Sequence, residues 1–263
     1  EISKITPNLN GNIIVNLRSG EYFVNNLKLK GMPDSKKQFS VTYQSYDEEK
    51  AIISGGKKID GWVLYQNNIY RAPLDKSVET RQLFVNGRRA QRARTNGYLP
   101  YFNFNADGHY TKEYDQILNW KNISDVEFVY KKEWTNSRCG VEAVSKGEDG
   151  TVTIKMKQPG WFYCRNKGLA FDSINVKTPW YIENAFELLD QEGEWYFDKS
   201  EGYIYYKPMQ GEEIKNAIVP VSETLISFLG DKTNPVSNII VKDLEFSYST
   251  WLLPSSDIGL PDA

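Results

Sequence analysis

Asn12-Ile13-Ile14-Val15-Asn16-Leu17-Arg18-Ser19-Gly20-Glu21-Tyr22-Phe23, close to the start of the chain, returns in altered form as Asn238-Ile239-Ile240-Val241-Lys242-Asp243-Leu244-Glu245-Phe246-Ser247-Tyr248-Ser249 near its end. Each copy reads as a strand, a corner and a second strand. A unit of this size cannot bury its apolar face alone, and stacking such units on one another forms a solenoid with a continuous core. After Trp251 the sequence runs Leu252-Leu253-Pro254-Ser255-Ser256 to Ala263 with no capping element, so the reading is a solenoid cut short. Other β-branched or alternating runs lie between turn residues, among them Phe39-Ser40-Val41-Thr42-Tyr43, Ala51-Ile52-Ile53-Ser54 and Thr151-Val152-Thr153-Ile154-Lys155-Met156. Helical periodicity is nearly absent, and the chain is mainly β.

Residues 63–220 have a different texture, denser in aromatic residues and arginine and organised as hairpins, which marks an inserted β-barrel-like subdomain. The organisation that follows is N-terminal rungs over 1–62, the insertion over 63–220, and resumed rungs over 221–263. One short helix is predicted near 184–190, with Asn184 as N-cap, Glu187 three residues later and Gly193 beyond its end. A hairpin follows, Glu194-Trp195-Tyr196-Phe197-Asp198 against Tyr203-Ile204-Tyr205-Tyr206, closed by Gly202 in a left-handed conformation.

Composition bounds the function. Of 263 residues, 40% are hydrophobic and 14% aromatic, enough for a sizeable core. Lys and Arg number 32 against 34 Asp and Glu, so no basic excess exists to neutralise a phosphate backbone, and nucleic acid is excluded as a partner. No apolar run approaches the ~20 residues of a membrane-spanning helix, and Glu1-Ile2-Ser3-Lys4 lacks the apolar core of a signal peptide. The two cysteines, Cys139 and Cys164, sit in strand-like stretches; they either pair across a sheet or stay as buried free thiols.

Four motifs carry a family resemblance: Ile53-Ser54-Gly55-Gly56 followed by Gly61-Trp62; Leu83-Phe84-Val85-Asn86-Gly87-Arg88-Arg89-Ala90-Gln91-Arg92-Ala93-Arg94; Glu183 to Asp190 through Glu194-Trp195-Tyr196-Phe197-Asp198 to Pro208; and Val241-Lys242-Asp243-Leu244-Glu245-Phe246 with Trp251. Together they resemble bacterial right-handed parallel β-helix proteins interrupted near the N-terminus by a small β-barrel. The arrangement is most similar to glycoside hydrolase family 141, with family 110 more distant. The resemblance implies a secreted or cell-surface glycosidase, acting on polysaccharide or glycan without a cofactor. It also implies that the catalytic carboxylates lie on rungs beyond this chain, and it places no catalytic residue within it.

Read on their own chemistry, few residues offer a centre. His109 is the only histidine, and no Gly-x-Ser-x-Gly elbow or His-Glu-x-x-His pair is present, which removes support for hydrolytic triads and zinc sites. Carboxylate chemistry remains, and it needs two Asp or Glu groups roughly 5–9.5 Å apart. Asp243 and Glu245 are the candidate pair, two residues apart on one strand face; the plainer reading is two solvated positions between core residues Val241, Leu244 and Phe246, with a corner at Asp243. Asn103, Asn105 and Asp107 resemble half a calcium loop, but Tyr114 stands where a bidentate Glu should close it, so a polar turn fits better and no metal site is assigned.

Arg81, Arg88, Arg89, Arg92 and Arg94 cluster in sequence, and guanidinium forks suit uronate or sulfate groups as well as internal carboxylates. Arg92 and Arg94 are the substrate-binding candidates. Trp62, Trp120, Trp134, Trp161, Trp180, Trp195 and Trp251 offer flat apolar faces for a sugar ring, with Trp161 and Trp251 best placed for a groove. The leading expectation is the N-terminal part of a glycoside hydrolase, inactive alone. The alternatives are a non-catalytic carbohydrate-binding module and a β-helical surface adhesin.

Overall fold

The computed structural model describes residues 10–30, 38–96, 99–132, 135–166, 168–169, 172–173 and 176–259. Trp134 and the segment Glu1–Lys4 lie outside the described residues. The chain is mainly β, with one α-helix, and divides into two compact units: residues 1–57 with 218–250, and residues 58–217 with 251–263.

The first unit is built on three parallel ladders. Ile13–Leu17 lies beside Val41–Ser45, which lies beside Ile239–Lys242, so that Ile13, Val41 and Ile239 align. Gly20–Phe23, Ala51–Ser54 and Glu245–Ser247 repeat the arrangement, and Leu27–Lys30 pairs with Ile226–Leu229. The two sequence copies therefore flank a third strand–corner–strand unit, Val41 to Ser54. Val41 is buried against Ile13, Val15, Phe39 and Tyr43, and Ala51 and Ile53 are buried in the neighbouring ladder. Gly55 is required by packing: a Cβ there would lie 2.4 Å from the Leu225 side chain and 2.9 Å from the Tyr248 carbonyl oxygen.

The corner of the last copy is Asp243, at φ 57°. That left-handed residue separates the strand Ile239–Lys242 from Glu245–Ser247, so Asp243 and Glu245 do not share a strand face. Glu245 is instead bonded to Lys50 at 2.7 Å and to the Ser247 hydroxyl at 2.7 Å. Phe246, read as core, is exposed on the outer strand of its ladder.

The second unit carries two larger sheets. In the first, Ile69–Pro73 and Val63–Gln66 join the predicted hairpin Glu194–Asp198 and Tyr203–Tyr206, with Gln91–Arg92 parallel along the edge of Glu194–Asp198. Gly202 closes the hairpin at φ 78°, as its sequence position implies. The second sheet is antiparallel and runs Asn103–Phe104, Gly108–Thr111, Val152–Met156, Thr135–Lys146, Glu127–Lys132, Tyr181–Glu183. Phe102, Phe128, Tyr130, Ile154, Trp161, Ile182 and Tyr196 are among the residues of its large buried core.

The one helical expectation and one strand expectation shift. The segment at 184–190 forms only a 3-10 turn, Phe186–Leu188. Asn184 does not cap it: its backbone takes φ 71° and its amide donates to the Asp125 carbonyl at 2.8 Å, leaving extended Ala185 at the cap position without a side-chain bond. The preceding strand Tyr181–Glu183 is paired with Glu127–Val129, and the left-handed Asn184 that follows it breaks helical continuity at the expected start. The α-helix lies at Gly160–Asn166, a stretch whose Trp161-Phe162-Tyr163-Cys164 reads as strand in sequence. Trp161 and Cys164 are buried and Phe162 and Tyr163 exposed, a helical spacing that two turns are too short to reveal. The backbone carbonyls of Asp257 and Ile258 would sit 2.8 Å from a Cβ at position 160, so glycine is needed at the helix start.

Candidate functional site

The arginine-rich stretch begins with a two-residue hairpin turn, Asn86 at φ 51° and Gly87 at φ 78°, between Phe84–Val85 and Arg88–Arg89. Strand alternation then sorts the side chains. Arg88 turns to the Tyr206 hydroxyl at 2.7 Å and to Glu212 at 3.3 Å. Arg89 lines a different surface, together with Arg92 and Arg94. Ala93, between the last two, is fully buried on the core side, so Arg92 and Arg94 lie on the opposite face of this stretch.

Behind that surface lies a buried ion cluster. Arg81 grips Glu127 with both terminal nitrogens, at 2.6 and 2.8 Å. Arg92 bridges Glu127 at 3.2 Å and Glu183 at 2.9 Å, and Arg138 stands 3.5 Å from Glu183. Glu127 and Glu183 are cross-strand partners, so their carboxylates meet by sheet register. Burial alone would raise the Glu127 carboxyl, but the Arg92 and Arg81 guanidiniums overcome it and hold it at about 2. The Arg92 guanidinium is raised in turn: burial opposes its charge, and the two carboxylates outweigh burial. Although the two glutamates share Arg92, both Glu127 oxygens are already taken by guanidiniums. The cluster is a fastening for four strands, those of Arg92, Glu127, Arg138 and Glu183.

In front of the cluster lies a cleft of ≈ 400 Å³ lined by Arg81, Arg89, Arg92, Arg94, Arg138, Tyr181, Glu183, Trp251 and Pro254, among others. Arg94 lies over the Tyr181 ring, 4.7 Å from its centroid, and Arg138 donates to the Tyr181 hydroxyl at 3.1 Å. Trp251 is 52% exposed and presents an open face. A second cleft of ≈ 460 Å³ is lined by Asp125, Glu127, Lys157, Trp195 and Lys199. Burial raises the Asp125 carboxyl, opposite in direction to Glu127, yet the two do not form an acid–base pair because both Glu127 oxygens are held by guanidiniums.

Three of the four sequence-read binding candidates, Arg92, Arg94 and Trp251, thus line one cleft. Trp161 does not. It is fully buried on the helix, with its indole N–H donating to the Asn105 carbonyl at 3.0 Å and His109 4.7 Å from its ring, so it serves the core. Burial pushes His109 down to about 3, and its Nε2 lies 2.6 Å from the Tyr130 hydroxyl. The Asn103, Asn105 and Asp107 loop is a hairpin turn in which the Asn105 side chain accepts the Asp107 and Gly108 amides at 2.9 and 3.1 Å. Among the described residues no three His, Cys, Asp or Glu side chains form a metal-binding group.

Cys139 and Cys164 are free, buried thiols, and Cys164 lies on the helix and not on a strand. The hydrogen bond from Cys164, with burial, pushes the Cys139 thiol up. Arg138, Tyr181, Glu127 and Glu183 were not legible as site residues. The available signal was charge inside otherwise apolar strands, Glu127-Phe128-Val129-Tyr130 and Tyr181-Ile182-Glu183.

Set beside known proteins, this architecture has a family. The GH141 insertion domain family matches residues 71–209, more than half of the chain, and the chain belongs to it. A solved structure titled "Glycoside hydrolase" is similar over 97% of this chain and 46% of its own, with 24% identity and a TM-score of 0.78, a likeness of fold. Another, titled "The complex structure of XylC with xylose", is 14% identical with a TM-score of 0.40 over 94% of this chain and 32% of its own. The chain spans less than half the length of either. No curated protein sequence matches it.

Proposed function

We propose that this chain is the N-terminal part of a secreted glycoside hydrolase and that its second unit holds glycan at the cleft beside Trp251. The first unit would be the opening rungs of a right-handed parallel β-helix, and the second the inserted β-barrel-like subdomain. The parallel registers of Ile13, Val41 and Ile239 support the β-helix reading. So does the exposure of Ile240 and Phe246 on outer strands, which a further rung would cover. The two catalytic carboxylates belong to rungs beyond this chain, a reading supported by the corner that separates Asp243 from Glu245 and by the guanidiniums that occupy Glu127.

The observation that carries the glycan reading is the exposed Trp251 face set among arginines in one cleft. Because that cleft is complete within one unit, it also favours a second reading, a carbohydrate-binding module that works without local catalysis. Both readings meet in one experiment, a glycan array probed with the full chain and with Trp251→Ala, alongside hydrolysis assays on the glycans bound. Binding lost in Trp251→Ala, with no turnover by the chain, is the predicted result. Robust hydrolysis by this chain overturns the placement of the carboxylates, and binding indifferent to Trp251→Ala overturns the cleft.

A further inference from the structure

We infer that the cleft beside Trp251 selects acidic saccharides, those bearing a uronate carboxylate or a sulfate ester, through Arg89 and Arg94. This rests on the glycan-binding reading above and adds the chemical class of the ligand. Arg81, Arg92 and Arg138 are committed to Glu127 and Glu183. Five arginines line the cleft, and among the described residues the carboxylates ion-paired with them are Glu127 and Glu183; Glu194 accepts only from the Arg94 backbone amide, at 3.3 Å, so the guanidiniums outnumber their carboxylate partners by three. Arg94 is oriented by the Tyr181 ring without losing its charge, since an aromatic face attracts a cation but does not neutralise it. Arg89 is exposed, and no carboxylate among the described residues pairs with it.

A cleft that is merely polar has no reason to gather cations, because like charges held together cost free energy unless an anion joins them. The chain as a whole carries a net charge of −2, so this excess is local and does not make the surface a general polyanion binder. Its volume of ≈ 400 Å³ falls in the usual range for small-ligand sites, roughly 300–1,000 Å³. Guanidiniums take a carboxylate or sulfate through paired N–H bonds, while the Trp251 ring takes the apolar face of a pyranose. The two elements together describe one ligand: a sugar ring with an anionic substituent at its edge.

The test is calorimetric titration of the full chain with three oligosaccharides of equal length. These are an oligogalacturonate, the same oligomer with its carboxyls reduced to hydroxymethyl groups, and a sulfated oligosaccharide. At least one anionic ligand is predicted to bind about tenfold or more tightly than the reduced form, with affinity falling as salt rises. Which of the two anions binds identifies the group. Arg89→Gln, at an exposed position, is predicted to weaken anion binding about fivefold or more, and by a larger factor than it weakens binding of the reduced ligand, with Arg94→Gln acting in the same direction. Equal affinity for the reduced and acidic forms overturns the acidic selectivity and leaves the glycan reading standing. Anion binding that survives the Arg89→Gln, Arg94→Gln double variant places the anion elsewhere and overturns the inference. Binding of none of the three by the wild-type chain removes the inference, and an empty glycan array would remove the glycan reading with it.

Discussion

At the scale of single residues, burial separates charges that matter to the fold from those that merely decorate it. Arg92 serves two buried carboxylates at once, so Arg92→Met leaves Glu127 and Glu183 short of a counter-ion. A loss of about 3–5 kcal/mol in denaturant unfolding is expected. Asp243→Asn, at an exposed corner, is expected to stay within ~0.5 kcal/mol of wild type in the same measurement. The buried titrating groups also fix the sign of the pH dependence. His109 falls from 6.5 to about 3 on folding, and Glu127 from 4.5 to about 2. In both cases the unfolded chain binds protons first, so stability is full above the unfolded values and declines as pH falls. Thermal midpoints should therefore decline from about pH 6.5 downward, and more steeply below about 4.5, with Glu127 alone contributing on the order of 3 kcal/mol. His109→Phe, matched to its Phe128 and Trp161 neighbours, should flatten the upper part of that decline. An unaltered profile in that variant would show that another group titrates there.

At the scale of elements, the helix Gly160–Asn166 fastens the second unit from inside, through Trp161 and Cys164. Trp161→Ala empties a fully buried site and is expected to cost about 3–5 kcal/mol. The thiols report on the same element. Cys139 and Cys164 are buried, so a thiol reagent should modify them only as fast as the native chain opens, and rapid labelling without unfolding would contradict the packing described. This helix marks the limit of what periodicity reveals. Two turns bracketed by strands leave too few residues for the 3.6 period to stand out, and aromatic content pulls the reading toward strand. The hairpin at Glu194–Tyr206 was legible because Gly202 and two alternating runs form a purely local signal. The turn at Phe186–Leu188 was not, since Asn184 is recruited by Asp125, 59 residues away in sequence.

At the scale of the whole molecule, the repeat between Asn12 and Asn238 was legible because each strand–corner–strand copy carries its own pattern, and both copies register on Val41–Ser45. The cleft was half legible. Alternation around Ala93 puts Arg92 and Arg94 on one surface, but Arg138 and Tyr181 arrive from strands remote in sequence, and only sheet register brings them in. Trp251 joins them from the far end of the chain. The central claim is that this assembled cleft, and not the buried Glu127 and Glu183 cluster, is where the chain meets glycan. A crystal structure of the full chain with its tightest array ligand tests it most directly. The expected result is a sugar ring against the exposed face of Trp251 with its polar edge toward Arg89 and Arg94; a ring bound at Glu127 with Arg81 and Arg92 displaced, or seated away from Trp251, would refute this placement.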